Sequence, residues 1–309
     1  MGVFMTFSKS LSAVRLALSS VVLFAAVAAQ ANTLPPNNLG RQDHLFGANG
    51  TEAEFNQVID EVIAEYQPIV KAHGATLTIE RLWKDTTVNA SASQTGNEWQ
   101  LHMYGGLFRR PEMNHDGFAA VVCHELGHHL GGFPVKVRFG STSWAADEGE
   151  ADYFATQVCL KRIWNNDLAN NAAAAKTAPK AVINGCNAAY SNKGQRDLCY
   201  RIANAGLPLA QLLATLNGTD PKALDVTKTD KAVVSSTFQD HPQAQCRLDT
   251  YFQGAICGAN FDPNVIPGKG NPKGDNSLEA EQVSAHYSCT KSGNFKAGLR
   301  PTCWFKPRM

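Results

Sequence analysis

Two histidines four residues apart, His124 and His128, lie in a stretch that has the pattern of an α-helix. Apolar residues form one side of this stretch, Gly131 follows it, and Pro134 prevents its continuation. Residues four apart in a helix lie one turn above each other on the same face. The chain must therefore fold so that a single helix face presents two imidazoles together, which is typical of a metal site.

The residue types in this run indicate a catalytic zinc site. Neutral imidazoles suit Zn²⁺, and a catalytic site has three protein ligands and one open position. Glu125 stands beside the first histidine, where its carboxylate can take a proton from an attacking water and later return it. We therefore expect one zinc ion per chain, with His124 and His128 as ligands and Glu125 as the general base. The alternative is a surface helix with two incidental histidines.

An acidic segment, residues 147–152, supplies the candidates for a third ligand. On a helix Glu148 and Asp152 share a face, whereas Glu150 points roughly 200° away from Glu148. Glu148 can therefore complete the zinc shell, while Asp152 accepts the free N–H of His124 and fixes its tautomer. The alternative is an acidic helix face that lies in solvent.

Residues 124–128 and 148–152 together resemble the gluzincin metallopeptidases grouped with the CAAX prenyl protease and the bacterial heat-shock protease HtpX. The Asn-Ala-Ser-Ala segment at residues 89–92 also matches that family, and the resemblance covers about residues 50–255. It implies a zincin-like fold, zinc as cofactor, Glu148 as a ligand and polypeptides as substrates. The best-known members are integral membrane proteins, and this chain looks more like a periplasmic branch.

A later match, His241-Pro242 followed by Arg247, extends the resemblance. The family suggests that His241 and Arg247 line the site and contact the oxyanion or the substrate backbone. An imidazole or guanidinium near a metal can indeed stabilise charge that develops on a tetrahedral intermediate. The alternative for His241 is a capping role at the start of the helix after Asp240.

Hydrophobic periodicity predicts an α+β fold that is mostly helical, with a small β-sheet beside the zinc-binding helix. A capping box at Thr51 begins a long helix, and strands are expected at residues 75–83 and 98–104. The intervening residues have the composition of a polar loop. Residues 98–104 could form the sheet edge on which an extended peptide lies. Further helices are expected over residues 116–130, 144–164, 196–206, 209–216 and from about 237 to 253.

The N-terminus has the features of a secretory signal peptide. Residues 1–15 carry two basic side chains and no acid, residues 16–28 are mostly apolar, and Ala29-Gln30-Ala31 matches a signal-peptidase site. We expect cleavage after Ala31 and a periplasmic or secreted protein without a transmembrane segment in its mature part. The alternative is an uncleaved anchor.

Eight cysteines, all beyond the predicted cleavage site, agree with an oxidising compartment. Short loops favour two pairs, Cys186–Cys199 and Cys289–Cys303. The predicted organisation is a signal peptide (1–31), a zinc metallopeptidase domain (32–262) and a cysteine-containing C-terminal appendix (263–309). The net charge of +1 provides no basic field for nucleic acid.

These features predict an exported zinc metalloendopeptidase that hydrolyses polypeptides, with Glu125 as base and acid. Two other functions stay open. One is an envelope chaperone or assembly factor whose zinc site is mainly structural, although such a site has no need of Glu125. The other is a zinc hydrolase that acts on a non-peptide amide, such as cell-wall material.

Overall fold

The computed structural model describes residues 1–2, 30–41 and 50–308. Most of the predicted signal peptide, including residues 16–28, lies outside the described residues. The described part is α+β, with many helices and a small sheet, as the periodicity predicts. Its strands are β1 (Gln30–Asn32), β2 (Thr76–Leu82), β3 (Ala90–Thr95), β4 (Glu98–Tyr104), β5 (Val135–Arg138) and β6 (Ser141–Ala146).

The helices occur along the whole described chain. They are α1 (Glu52–Ala72), α2 (Gly105–Phe108), α3 (His115–Leu130), α4 (Glu148–Phe154), α5 (Leu160–Trp164), α6 (Leu168–Ala174), α7 (Lys180–Ala189), α8 (Lys193–Ala205), α9 (Leu207–Leu216), α10 (Ala244–Ile256) and α11 (Leu278–Ser284). A π-helical turn (Ala155–Cys159) joins α4 to α5, and a short 3₁₀ turn covers Pro221–Ala223.

The long helix α1 begins at the capping box that the sequence predicts. The Thr51 side chain accepts the Glu54 N–H, and the Glu54 carboxylate accepts the Thr51 N–H at 2.7 Å. Both bonds satisfy donors that a helix start leaves free. Pro68 does not end the helix, which continues to Ala72. The buried side of α1 packs against α3, so it supports the helix that carries the two histidines.

A four-stranded sheet has the order β1-β3-β4-β2. β4 pairs on both sides, parallel with β2 and antiparallel with β3, so the expectation that residues 98–104 form an edge is wrong. β3 forms within the stretch expected to be a polar loop. Its Ala90 and Ala92 are fully buried, and α3 packs on this strand. Pairing on both sides and small buried side chains override the weak strand preference of alanine and serine.

The expected helix over residues 144–164 begins later. Residues 141–146 instead form β6, which makes a two-stranded hairpin with β5, and α4 begins only after Asp147. α10 likewise begins at Ala244, several residues after the expected start. The hairpin precedes α4 directly, so it helps to set where the acidic segment enters the interior.

The cysteines form four disulfide bonds: Cys123–Cys159, Cys186–Cys199, Cys246–Cys303 and Cys257–Cys289. The prediction of Cys186–Cys199 is confirmed. The prediction of Cys289–Cys303 is wrong, because both of these cysteines join the α10 region instead. A short loop favours closure but does not decide pairing when the chain folds back over another element. Four disulfides fit an extracytoplasmic location.

The C-terminal residues 263–308 pack closely on α4 and α10. Arg300 pairs with both carboxylate oxygens of Glu150, and both side chains are less than 5% exposed. A Cβ at Gly149 would come within 2.2 Å of the Trp304 ring, so this close approach requires glycine. Among the described helices, none is both long enough and apolar enough to cross a membrane.

Candidate metal centre

The two histidines of α3 are fully buried and are oriented through their Nδ1 atoms. His124 Nδ1 donates to the Asp152 carboxylate at 2.8 Å, and His128 Nδ1 donates to the Ala146 carbonyl at 2.9 Å. These bonds hold each ring, in its neutral form, in the tautomer whose Nε2 lone pair can bind a metal. The geometry that the sequence predicts for Asp152 and His124 is therefore present.

The free Nε2 atoms and Glu148 converge on one point. His124 Nε2 lies 3.2 Å from Glu148 Oε2, and His128 Nε2 lies 3.7 Å from Glu148 Oε1. His124 Nε2, His128 Nε2 and Glu148 Oε2 are buried and find no hydrogen-bond partner among the residues that the structure describes. Glu148 is fully buried, so the alternative of a solvated acidic face is wrong at this position.

These three side chains fit a metal ion of the size of zinc. A tetrahedral ion with ligand bonds of about 2.0 Å separates neighbouring ligand atoms by about 3.3 Å. His124 Nε2 and Glu148 Oε2 are 3.2 Å apart, close to this value, and one ligand atom from each of the three residues lies within 4.8 Å of the other two. A buried polar atom without a partner is costly, and an ion would satisfy three of them at once. His124, His128 and Glu148 thus form a candidate metal-binding group.

Burial and the acids shape the protonation of the ligands. Burial lowers the pKa of His128 well below its usual value, so its imidazole is neutral. Burial also opposes protonation of His124, but the Asp152 and Glu148 carboxylates outweigh it and raise the pKa of His124 to about 9. Burial alone would raise the pKa of Glu148, but Lys136 and the histidines hold it well below its usual range.

Lys136 is one of the site residues that sequence reasoning missed. It lies on β5, is only 8% exposed, and its ammonium group donates to Glu148 Oε1. The hairpin register is irregular between Val135 and Val137, so the neighbours Val135 and Lys136 are both buried. Such a bulge breaks the alternation from which side-chain direction is read, and the sequence carries no separate signal for it.

Asp152 lies at the centre of a buried polar cluster. Besides His124, it accepts two hydrogen bonds from Arg247, at 2.7 and 2.6 Å, and one from the Tyr251 hydroxyl. Asp152, Arg247 and Tyr251 are all fully buried. Burial would raise the pKa of Asp152, but Arg247 and His124 together lower it. The carboxylate therefore stays ionised and holds the His124 ring in place.

Glu125, the expected general base, is fully buried on α3. Its Oε1 accepts a hydrogen bond from the Thr33 hydroxyl, and its Oε2 has no partner among the described residues. Burial raises the pKa of Glu125 to about 7. A carboxyl group with a pKa near neutrality suits proton uptake and return.

His241 lies beside the metal-binding group. Its Nε2 is 3.8 Å from Glu148 Oε2 and donates to the Asn32 carbonyl at 2.7 Å, while its Nδ1 contacts Asp240. Gln243, and not His241, occupies the N-cap position of α10, so the helix-capping alternative for His241 is wrong. Arg247 contacts the residue after Asn32, because its Nη1 donates to the Thr33 carbonyl at 2.6 Å.

His129, which follows His128, packs the end of α3 against two other elements. It is buried and stacks between Trp99 of β4 and Trp144 of β6, with ring centroids 4.7 and 4.6 Å apart. Burial lowers the pKa of His129 to about 3, so the ring is neutral. This stack clamps the ligand helix between the sheet and the hairpin.

Within the described part of the chain, Asp230, Cys246 and Cys303 form one further group of possible ligands. Its two cysteines are bonded to each other, so they cannot bind a metal as thiolates. Comparisons of the chain with protein-family models, curated proteins and solved structures find no match. The function therefore has to be argued from the geometry of the centre itself.

Proposed function

We propose that this protein is an exported zinc-dependent metalloendopeptidase with a zincin-like fold, similar to the gluzincins that the sequence resembles. The observation that carries the proposal is the convergence of three buried ligand atoms from His124, His128 and Glu148, none of which has a hydrogen-bond partner in the described part of the chain. Glu125 lies on the same helix, between the two imidazole ligands. A site of two imidazoles and one carboxylate leaves a fourth position for water or substrate.

Four neighbouring side chains have roles in this proposal. Zinc held by the three ligands would polarise a substrate carbonyl and make water more acidic. Glu125 takes the proton of the attacking water and returns it to the leaving amine. His241 steadies the charge that develops on the carbonyl oxygen. Asp152, held by Arg247, keeps the His124 ring in the ligating tautomer.

The buried position of Glu125 favours this function over a structural zinc site. A buried carboxylate that is only partly paired costs free energy, and such a group is retained where it has a function. Its Oε2 has no partner among the described residues, and a structural site needs no such group. The disulfides fit the oxidising compartment in which we place the enzyme, either the periplasm or the exterior of the cell.

Replacing Glu125 by glutamine tests the proposal directly. Glu125→Gln should bind zinc as the wild type does but hydrolyse unfolded casein several orders of magnitude more slowly, because only the proton carrier is lost. Metal content by mass spectrometry and casein turnover, each with and without a chelator, are measured together. Full activity in the variant would contradict the mechanism.

Two matched results separate the alternatives. If the wild-type protein binds zinc and suppresses aggregation of a client but never cleaves casein, it is a chaperone with a structural site. If it spares casein but releases amine from cell-wall material in a chelator-sensitive way, it is an amide hydrolase of another class. Glu52→Gln, the same exchange at an exposed position of α1, serves as the matched control and should leave casein turnover unchanged.

A further inference from the structure

The N-terminal segment, residues 30–35, enters the protein as an extended strand. β1 pairs antiparallel with β3, and Thr33 continues the pairing by donating its N–H to the Ala90 carbonyl at 3.1 Å. Ala31, Thr33 and Leu34 are at most 1% exposed. The segment is therefore inserted between other elements and does not lie on the surface.

The segment contacts the side chains that the proposed reaction uses. The Asn32 carbonyl accepts from His241 at 2.7 Å, and the Thr33 carbonyl accepts from Arg247 at 2.6 Å. The Thr33 hydroxyl donates to the Glu125 carboxylate. The expected base and both expected backbone-binding residues are thus occupied by the protein's own chain.

Most of the remaining contacts also involve main-chain atoms. Asn89 bonds both polar groups of Leu34: its Oδ1 accepts the Leu34 N–H and its Nδ2 donates to the Leu34 carbonyl, each at 3.0 Å. Before the predicted cleavage, Arg138 also donates to the Gln30 carbonyl at 2.9 Å. Recognition of an extended chain through main-chain hydrogen bonds tolerates different side chains, as in strand addition to a sheet edge. A foreign polypeptide could make the same bonds.

We propose that the N-terminal segment is an internal inhibitor that occupies the place of an extended polypeptide and must leave before a substrate binds. This regulation rests on the proposed peptidase function. Because the segment is part of the same chain, its effective concentration is high, and it outcompetes a dilute peptide. The contacts of residues 32–34 do not depend on the predicted cleavage after Ala31.

A reversible lock provides the first test. Thr33 and Ala90 form a hydrogen-bonded pair, so the preceding pair, Asn32 and Ser91, is of the non-hydrogen-bonded kind with Cα atoms about 4.5 Å apart. This separation suits a disulfide. The double variant Asn32→Cys/Ser91→Cys, with the added bond verified by mass, should lose at least tenfold in casein hydrolysis relative to either single variant.

An opened variant provides the second test. Thr33→Pro removes both the N–H that bonds Ala90 and the hydroxyl that contacts Glu125. Two lost hydrogen bonds should release the segment about tenfold more often. A fluorescent peptide that copies residues 30–36 should then bind the opened variant, by anisotropy, at least tenfold more tightly than it binds the wild type. Asn38→Ala, an exposed change beyond the segment, should bind the peptide as the wild type does.

The two readouts separate this inference from the proposed function. Peptide binding by the opened variant without casein cleavage by any variant supports the internal inhibitor and contradicts the peptidase. Equal casein cleavage by locked, opened and wild-type proteins supports the peptidase and overturns the inhibitor. Peptide binding to no variant, or equal binding to all of them, also overturns it. Thermal unfolding of each variant identifies any that fail to fold. If Thr33→Pro is one of them, the comparison of the locked double variant with its single variants still tests the proposal.

Discussion

Three acids on one short helix should differ sharply in their effect on zinc binding. Glu148 meets both imidazoles, Asp152 holds one of them from behind, and Glu150 pairs with Arg300 on the other side of α4. The three positions span a little more than one helical turn, so they provide matched substitutions in one environment. We predict that Glu148→Gln impairs zinc binding most, Asp152→Asn less, and Glu150→Gln not measurably.

The expected magnitudes follow from the contacts. Zinc binding by structural sites with four protein ligands is worth about 10–16 kcal/mol, so a single ligand contributes roughly 3–4 kcal/mol, or about 100- to 1000-fold in affinity. Asp152 acts through His124, and loss of such a partner costs about 10- to 100-fold. Glu150 lies outside the centre, but removing one partner of its buried ion pair costs about 3–5 kcal/mol of stability.

Glu150→Gln is therefore the most direct test, because it should lower the stability of the fold without changing the affinity for zinc. Titration of each folded variant with zinc against a competing chelator gives the affinities, and urea unfolding of the metal-free proteins gives the stabilities. Glu148 is not the ligand if Glu150→Gln loses zinc while still folded, or if Glu148→Gln binds zinc as the wild type does. Either result would mean that α4 presents a different face to the histidines.

The remaining predictions concern three separate features. His241→Ala should lower kcat without loss of zinc, and unchanged kinetics would contradict its role at the oxyanion. Burial lowers the pKa of Lys161 to about 7, so the unfolded chain binds more protons than the folded one above that pH. In urea unfolding, the stability of the wild type relative to Lys161→Met should thus rise by about 2 kcal/mol from pH 7 to 9. The intact mass of the exported protein should correspond to a chain that begins at Asn32 with no free thiol, and alkylatable cysteines would contradict this.

Part of the candidate centre could be predicted from the sequence, because helical spacing alone determines the direction of these side chains. His124 and His128 share a face because they are four apart, and the same rule separates Glu148 from Glu150. The capping box of α1 and the closing of Cys186–Cys199 are similarly local. Such features depend on nearby atoms, so they survive any rearrangement of distant elements.

What could not be predicted depends on long-range packing. Lys136 turns inward through a bulge, and a bulge is set by the partner strand. β3 becomes a strand because β1 and β4 flank it, and not because of its own composition. The pairing of Cys303 with Cys246 requires the C-terminal residues to fold back over α10. In each case the deciding contact lies far away in sequence.

The Cys123–Cys159 bond has a consequence for how a metal would be held at the candidate centre. It joins the residue before the first imidazole ligand to the turn that follows α4, so the two helices that carry all three ligands form one covalent unit. Many small zinc domains fold only when the ion arrives. Here the framework is cross-linked beforehand, and the ion would be an exchangeable component. A chelator should then extract zinc and leave the circular dichroism spectrum unchanged, and the same molecules should regain activity when zinc returns.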